Sequence, residues 1–270
     1  YLCWIFLFLL GAVIALIPLL ILFLKKAKCE TPGPDQPPAW NASDYQSNAD
    51  YYKTVQLHDF TQDDNLRIDR ISSPVYSRSG KTIIFLRQQF HMPDSNSSST
   101  TIHWLDLESL KTAQLTRPVW GTNDQQIYWA DDNTVLFLSN RAKSGLTQLF
   151  QLTIPTTIPT EFLEPYQITD YPLNIDNLLV NKQGSLVAFS CQVYPKSNMD
   201  ETVQKQLQWN ENGRRVYEFD KLFIRHWDEY MTGVRNHPFL MSIKKGEDGK
   251  YKTTSKPIDV MFDLDSDSPT

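Results

Sequence analysis

Three phenylalanines, Phe85, Phe137 and Phe189, stand 52 residues apart, and each occupies the same place in an apolar stretch. The stretches are Lys81-Thr-Ile-Ile-Phe-Leu86, Asn133-Thr-Val-Leu-Phe-Leu138 and Ser185-Leu-Val-Ala-Phe-Ser190. A turn-forming group precedes each at one register: Ser77-Arg-Ser-Gly80, Ala130-Asp-Asp132 and Asn181-Lys-Gln-Gly184. Such groups favour a tight connection between antiparallel strands. A second pair of landmarks, Gln114-Leu-Thr116 and Gln167-Ile-Thr169, is separated by 53 residues. The phase therefore persists through several features, and an internal repeat governs what this chain can fold into.

Short runs rich in Ile, Val, Phe, Tyr and Thr, punctuated by Gly, Asn, Asp and Pro, mark the region after the first 53 residues as mostly β. The best helical candidate, Glu201 to Trp209, is short and polar. A repeat of about 50 residues with several short strands fits one blade of a β-propeller, which buries its faces only against neighbouring blades. Residues 54–270 are accordingly expected to form a partial β-propeller of about four blades. A β-sandwich whose hairpins share a length is the competing reading; aligned phenylalanines with aligned turns favour the propeller.

Ahead of the repeats, residues 1–24 contain no charged side chain, and Gly11 and Pro18 are the only residues there that are not apolar. As a helix rising about 1.5 Å per residue this run would span roughly 36 Å, against about 30 Å of hydrocarbon. It ends in Phe23-Leu24-Lys25-Lys26 rather than at a small-residue cleavage site, so it reads as one retained transmembrane signal-anchor helix. Residues 25–53 follow as a linker, and Thr31-Pro-Gly-Pro-Asp-Gln-Pro-Pro38 makes it a semi-rigid stalk. The first residue is Tyr rather than Met, which points to a natural chain that starts earlier. Lys25, Lys26 and Lys28 would hold the following region in the cytoplasm. The acceptor sequons at Asn41 and Asn96 point instead to a lumenal or extracellular domain, the placement expected for a single-pass protein with glycans there.

The chemistry search excludes several classes. Lys and Arg number 26 against 31 Asp and Glu, a net charge of −5, and no long basic run follows residue 28, so nucleic-acid binding has no support. No two glycines are four apart, which removes the Gly-x-Ser-x-Gly elbow, and spacings of two or five are missing too, which removes the dinucleotide and P-loop fingerprints. None of the five histidines is followed by Glu, and the three cysteines form no Cys-x-x-Cys pair. No metal and no cofactor is therefore expected. Cys191 falls in a strand pattern and reads as a buried free thiol, with a bridge to Cys29 as the alternative.

One segment, Arg215 to Tyr230, is dense in aromatic and charged residues. Arg225, His226, Trp227 and Asp228 supply a cation, an imidazole, a large ring and a carboxylate in a row. If the strand continues through them, Arg225 and Trp227 share one side, and His226 and Asp228 the other. Two roles are open: a polar network that joins blades, or a cluster facing a substrate cavity.

The phrase Val216-Tyr-Glu-Phe-Asp-Lys-Leu-Phe-Ile-Arg-His-Trp-Asp228, then Arg235-Asn-His-Pro-Phe239 and the stretch from Lys256 to Pro269, resembles the propeller of prolyl oligopeptidase-type serine peptidases. The nearest branch is the dipeptidyl-peptidase 5 and acylaminoacyl-peptidase group. The resemblance implies a propeller that caps an α/β-hydrolase domain and admits peptide substrates by size, while a Ser-Asp-His triad on the hydrolase domain cleaves them. The 270 residues match only the propeller, so they are expected to be an N-terminal fragment that carries no catalytic residue. Whether the parent protein forms a homodimer stays open. The alternative is a membrane-tethered propeller of TolB-like or Trp-Asp-repeat type that binds without chemistry.

Overall fold

The structure, a computed structural model, describes residues 59–90, 97–213, 216–219, 224–226 and 228–268. All of them belong to the second of the two units into which the chain divides, residues 50–270. The expected anchor at 1–24 and the spacer at 25–53 lie outside the described residues. Among the described residues no helix is long and apolar enough to cross a membrane.

A short helix, α1 (Gln62–Arg67), opens the described chain. Thr61 caps it, accepting a hydrogen bond from the Asp64 amide while the Asp64 carboxylate accepts from the Thr61 amide at 2.7 Å. Four antiparallel strands follow in order as the first sheet: β1 (Arg70–Tyr76), β2 (Thr82–Phe90), β3 (Ser98–Asp106) and β4 (Thr112–Gln114). The second sheet repeats the plan with β5 (Asp124–Trp129), β6 (Thr134–Ser139), β7 (Gln148–Thr153) and β8 (Tyr166–Gln167). The third begins alike with β9 (Ile175–Val180) and β10 (Leu186–Val193). Residues 194–234 then intervene, carrying α2 (Met199–Glu211) and a hairpin of β11 (Arg225–His226) and β12 (Glu229–Tyr230). The sheet resumes with β13 (Arg235–Lys245), β14 (Tyr251–Thr253) and β15 (Ile258–Asp259), both of the latter pairing β13.

Three sheets among the described residues carry the repeat, not four; the remaining strand pair is the hairpin inserted into the third. The insertion falls where the first two sheets need only residues 91–97 and 140–147 to turn from second strand to third. The helix expected at Glu201 to Trp209 is present and longer. Its start is fixed by Asn198, which accepts from the Glu201 amide at 2.9 Å while the Glu201 carboxylate accepts from the Asn198 amide at 2.9 Å.

Register explains the period. Phe85, Phe137 and Phe189 sit in β2, β6 and β10, the second strand of each sheet, and pair across the ladder with His103, Phe150 and Phe239. Each forms a ring contact there, with centroids 5.4, 5.9 and 5.6 Å apart. The three preceding turns close alike: the Ser77, Ala130 and Asn181 amides donate to the Thr82, Thr134 and Leu186 carbonyls at 2.8, 2.9 and 3.0 Å. Gly80 and Gly184 hold φ of +69° and +66° in them. The Gln-x-Thr landmarks also have one structural meaning. Thr116 and Thr169 each accept a hydrogen bond, at 2.9 Å, from the amide of Ile102 or Leu149 on the third strand. Gln114 and Gln167 each donate to the carbonyl of the threonine two residues on.

The sheets stack through alternate faces. Ile84, Leu86, Ile102 and Trp104 of the first pack on Val135, Phe137, Phe150 and Leu152 of the second. Leu136, Leu138 and Leu149 of the second pack on Val187, Phe189, Phe239 and Met241 of the third. Covered on both sides, β6 is buried throughout, which is why Val135 to Leu138 reads as an unbroken apolar run. A buried ion pair joins first sheet to second: Arg141 donates to both Asp124 carboxylate oxygens at 2.6 and 2.8 Å, and Thr116 and Ser139 donate to the same carboxylate.

Candidate functional site

The first strand of each sheet departs from regular pairing at one position. The register shifts between Ser72 and Val75, between Gln125 and Tyr128, and opposite Ala188 and Ser190. In each bulge a residue other than glycine, Ser73, Gln126 or Asn177, takes φ of 50°, 52° or 52°. A left-handed side chain costs of order 1 kcal/mol, and this conformation recurs at sites that hold ligands or neighbours in place. In the second sheet the use is visible. Gln126 Oε1 accepts from the Leu178 amide and Nε2 donates to Asp176, both at 2.5 Å, so one side chain binds the backbone of β9. Asn177, at the same place in the third sheet, donates from Nδ2 to Ser190 Oγ at 2.8 Å.

Around these two amides lies an open cleft of about 410 Å³. Its walls are Tyr128, Leu178, Leu179, Phe189 and Pro238, and its polar groups come from Gln126, Asn177, Ser190 and Ser268. No charged side chain lines it. Clefts of about 300–1,000 Å³ with apolar walls and a few polar groups are the usual seat of small ligands and peptide side chains.

A buried histidine–carboxylate pair sits deeper in the third sheet. His237 is fully buried in β13, and its Nδ1 donates to Asp259 Oδ2 at 2.8 Å. Its Nε2 has no hydrogen-bond partner. Cys191 lies opposite His237 in the ladder, and burial, with the Asp259 charge adding to it, pushes the thiol up to about 12. It is therefore a protonated thiol, free and buried as expected, and unsuited to attack a carbonyl. Sequence spacing gave no sign of this pair, because it forms only when β15 folds back on β13 and sets Asp259 beside Phe239. Among the described residues no group of three or more His, Cys, Asp or Glu side chains could hold a metal ion.

No family model matches the chain. Curated relatives do. The probable dipeptidyl-peptidase 5 of Emericella nidulans is 27% identical over 190 residues, 67% of this chain and 24% of that one. Dipeptidyl-peptidase 5 of Aspergillus fumigatus is 25% identical over 202 residues, 70% and 26% of the two chains. Dipeptidyl-peptidase 4 of Giardia intestinalis is 20% identical over 236 residues, 77% and 30%. The chain belongs to the prolyl oligopeptidase-type peptidase family. It spans about a quarter of the length of the dipeptidyl-peptidase 5 relatives that it matches. A solved puromycin-hydrolysing peptidase of Mycobacterium tuberculosis aligns with 72% of this chain and 30% of its own at 11% identity and a TM-score of 0.35, which is too low to add to the sequence relationship.

The stretch most typical of the peptidase family does not continue as one strand. Arg225, exposed, pairs with Tyr230, and His226 pairs with Glu229, so the chain reverses between them. Asp228 is exposed in that reversal, which ends the face alternation expected to set it beside His226. Trp227 lies outside the described residues, as do Asn41 and Asn96. Around the hairpin the insertion gathers aromatic rings instead: Tyr217 stacks on Trp209 at 5.2 Å and on Tyr230 at 5.5 Å.

Proposed function

We propose that the three sheets are blades of the N-terminal propeller of a membrane-anchored prolyl oligopeptidase-type serine peptidase. In this reading the propeller screens peptides for a hydrolase domain, residues 1–24 hold the protein in the bilayer, and the domain stands on the extracellular or lumenal side. The observation that carries it is the identity of four register positions in three stacked sheets, in a chain whose relatives are dipeptidyl-peptidases. Stacked sheets of one repeat are what a propeller requires of its blades. The absence of an activated nucleophile among the described residues supports a screening rather than a cleaving role: the buried thiol is protonated, and the His237–Asp259 pair is sealed from solvent.

The test is a size-selection assay on the parent peptidase. With the propeller intact, short acyl-dipeptide reporters are hydrolysed and unfolded polypeptides are spared; with residues 54–270 deleted, long substrates are cleaved as well. Equal size selectivity in both forms would overturn the screening role. Digestion from either side of sealed vesicles reports whether the domain faces the lumen.

A further inference from the structure

Equivalent positions on the three sheets show where the third departs from the plan. On the face that each sheet turns towards the next, β2 presents Ile84 and Leu86, β6 presents Leu136 and Leu138, and β10 presents Ala188 and Ser190. The third strands follow suit: Ile102 and Leu149 in the first two sheets give way to Pro238 in the third. Branched aliphatic side chains have thus been replaced by small or rigid ones at three adjoining points. The 410 Å³ cleft lies directly over them, with Ala188, Ser190 and Pro238 all in its lining.

A second, independent observation fixes what the hollow accepts. Gln126 shows, within this molecule, that an amide side chain at the left-handed bulge position binds an extended strand by its backbone N–H. Asn177 occupies that position at the cleft, and its one bond there, from Nδ2 to Ser190, leaves Oδ1 as an acceptor. Phe189, Tyr128 and Pro238 offer flat apolar surfaces, and the lining is uncharged. Flat walls favour an aromatic guest over a branched one, and an uncharged site disfavours a cation or carboxylate.

We propose that the cleft is a binding site for an extended peptide strand that buries one aromatic side chain over Ala188 and places a backbone N–H on Asn177 Oδ1. The site does not depend on the peptidase reading: it stands on the hollow and on the amide above it, whatever chemistry the parent protein performs.

The experiment titrates the full 270-residue chain with acetyl-Ala-Phe-Ala-amide and acetyl-Ala-Lys-Ala-amide, reading binding by ligand-observed NMR. The phenylalanine probe binds at least about tenfold more tightly, as expected when several CH2 equivalents of apolar surface are buried. Ala188→Leu fills the hollow and reduces that affinity at least about tenfold, while Asn177→Gly keeps the left-handed backbone and removes the acceptor, weakening it several-fold. The melting temperature of each variant is recorded alongside, and Asn177→Gly carries the test if Ala188→Leu unfolds. Equal binding of both probes, no binding of the phenylalanine probe at millimolar concentration, or unchanged affinity in both variants overturns the proposal. None of these results bears on size selection by the parent enzyme.

Discussion

Phe85, Phe137 and Phe189 share a register yet differ in what they meet. Phe137 and Phe189 are buried against the preceding sheet, whereas Phe85 is half-buried, because its face has no earlier repeat-bearing sheet among the described residues. Deleting a fully buried phenylalanine costs about 3–5 kcal/mol, so Phe137→Ala should lower stability by that amount and Phe85→Ala by markedly less, measured by urea unfolding. Opposite Phe85, His103 is held neutral: burial, followed by the neighbouring Arg87 charge, pulls its pKa down to about 3. The unfolded histidine takes up a proton below about pH 6.5 and the folded one does not. The stability this provides is complete above pH 6.5 and is lost as the pH falls towards 3. His103→Phe should therefore flatten the acid limb of a melting-temperature profile across that window. Residues at this scale were legible where they recur. The phenylalanines and the Gln-x-Thr pairs were visible because three or two copies stand at fixed spacing; Gln126 and Asn177 were not, since Ser73, Gln126 and Asn177 share a backbone conformation and no chemistry.

The strand-to-strand turns were readable from the sequence because Gly80 and Gly184 satisfy a left-handed backbone that other residues resist. The insertion at 194–234 hid the partner of Phe189. Phe239 lies in the third strand like Phe150, but far along the chain, and no fixed spacing could reveal it. The hairpin of β11 and β12 likewise broke the expected alternation at Asp228, since a period of two persists only while a strand remains extended. What joins one sheet to the next is equally non-local. Asp124 begins β5, receives the Arg141 guanidinium from beyond β6, and accepts from Thr116 after β4. With Asp124 at 0% exposure and Arg141 at 15%, removing the carboxylate strands a nearly buried cation. Asp124→Ala should cost about 3 kcal/mol, the low end for a broken buried pair because the guanidinium still reaches water, and Asp124→Ala with Arg141→Met should recover part of the loss.

For the molecule as a whole, the sheets pack on one face and leave the other face of the third sheet in solvent. Leu179, Ala188, Leu240 and Ile258 pair in one row across β9, β10, β13 and β15, and the three larger ones are 60%, 38% and 65% exposed. An apolar row of this kind promotes association, so the 270-residue chain should show concentration-dependent oligomers in sedimentation velocity, suppressed by Leu240→Lys with Ile258→Lys. A monomer at high micromolar concentration would contradict this. The central claim is that these sheets select peptides and leave bond cleavage to another domain. Hydrolysis of a dipeptidyl chromogenic reporter by the purified 270-residue chain tests it most directly. The account predicts no turnover above buffer and no labelling by a fluorophosphonate; turnover that a fluorophosphonate abolishes would contradict it.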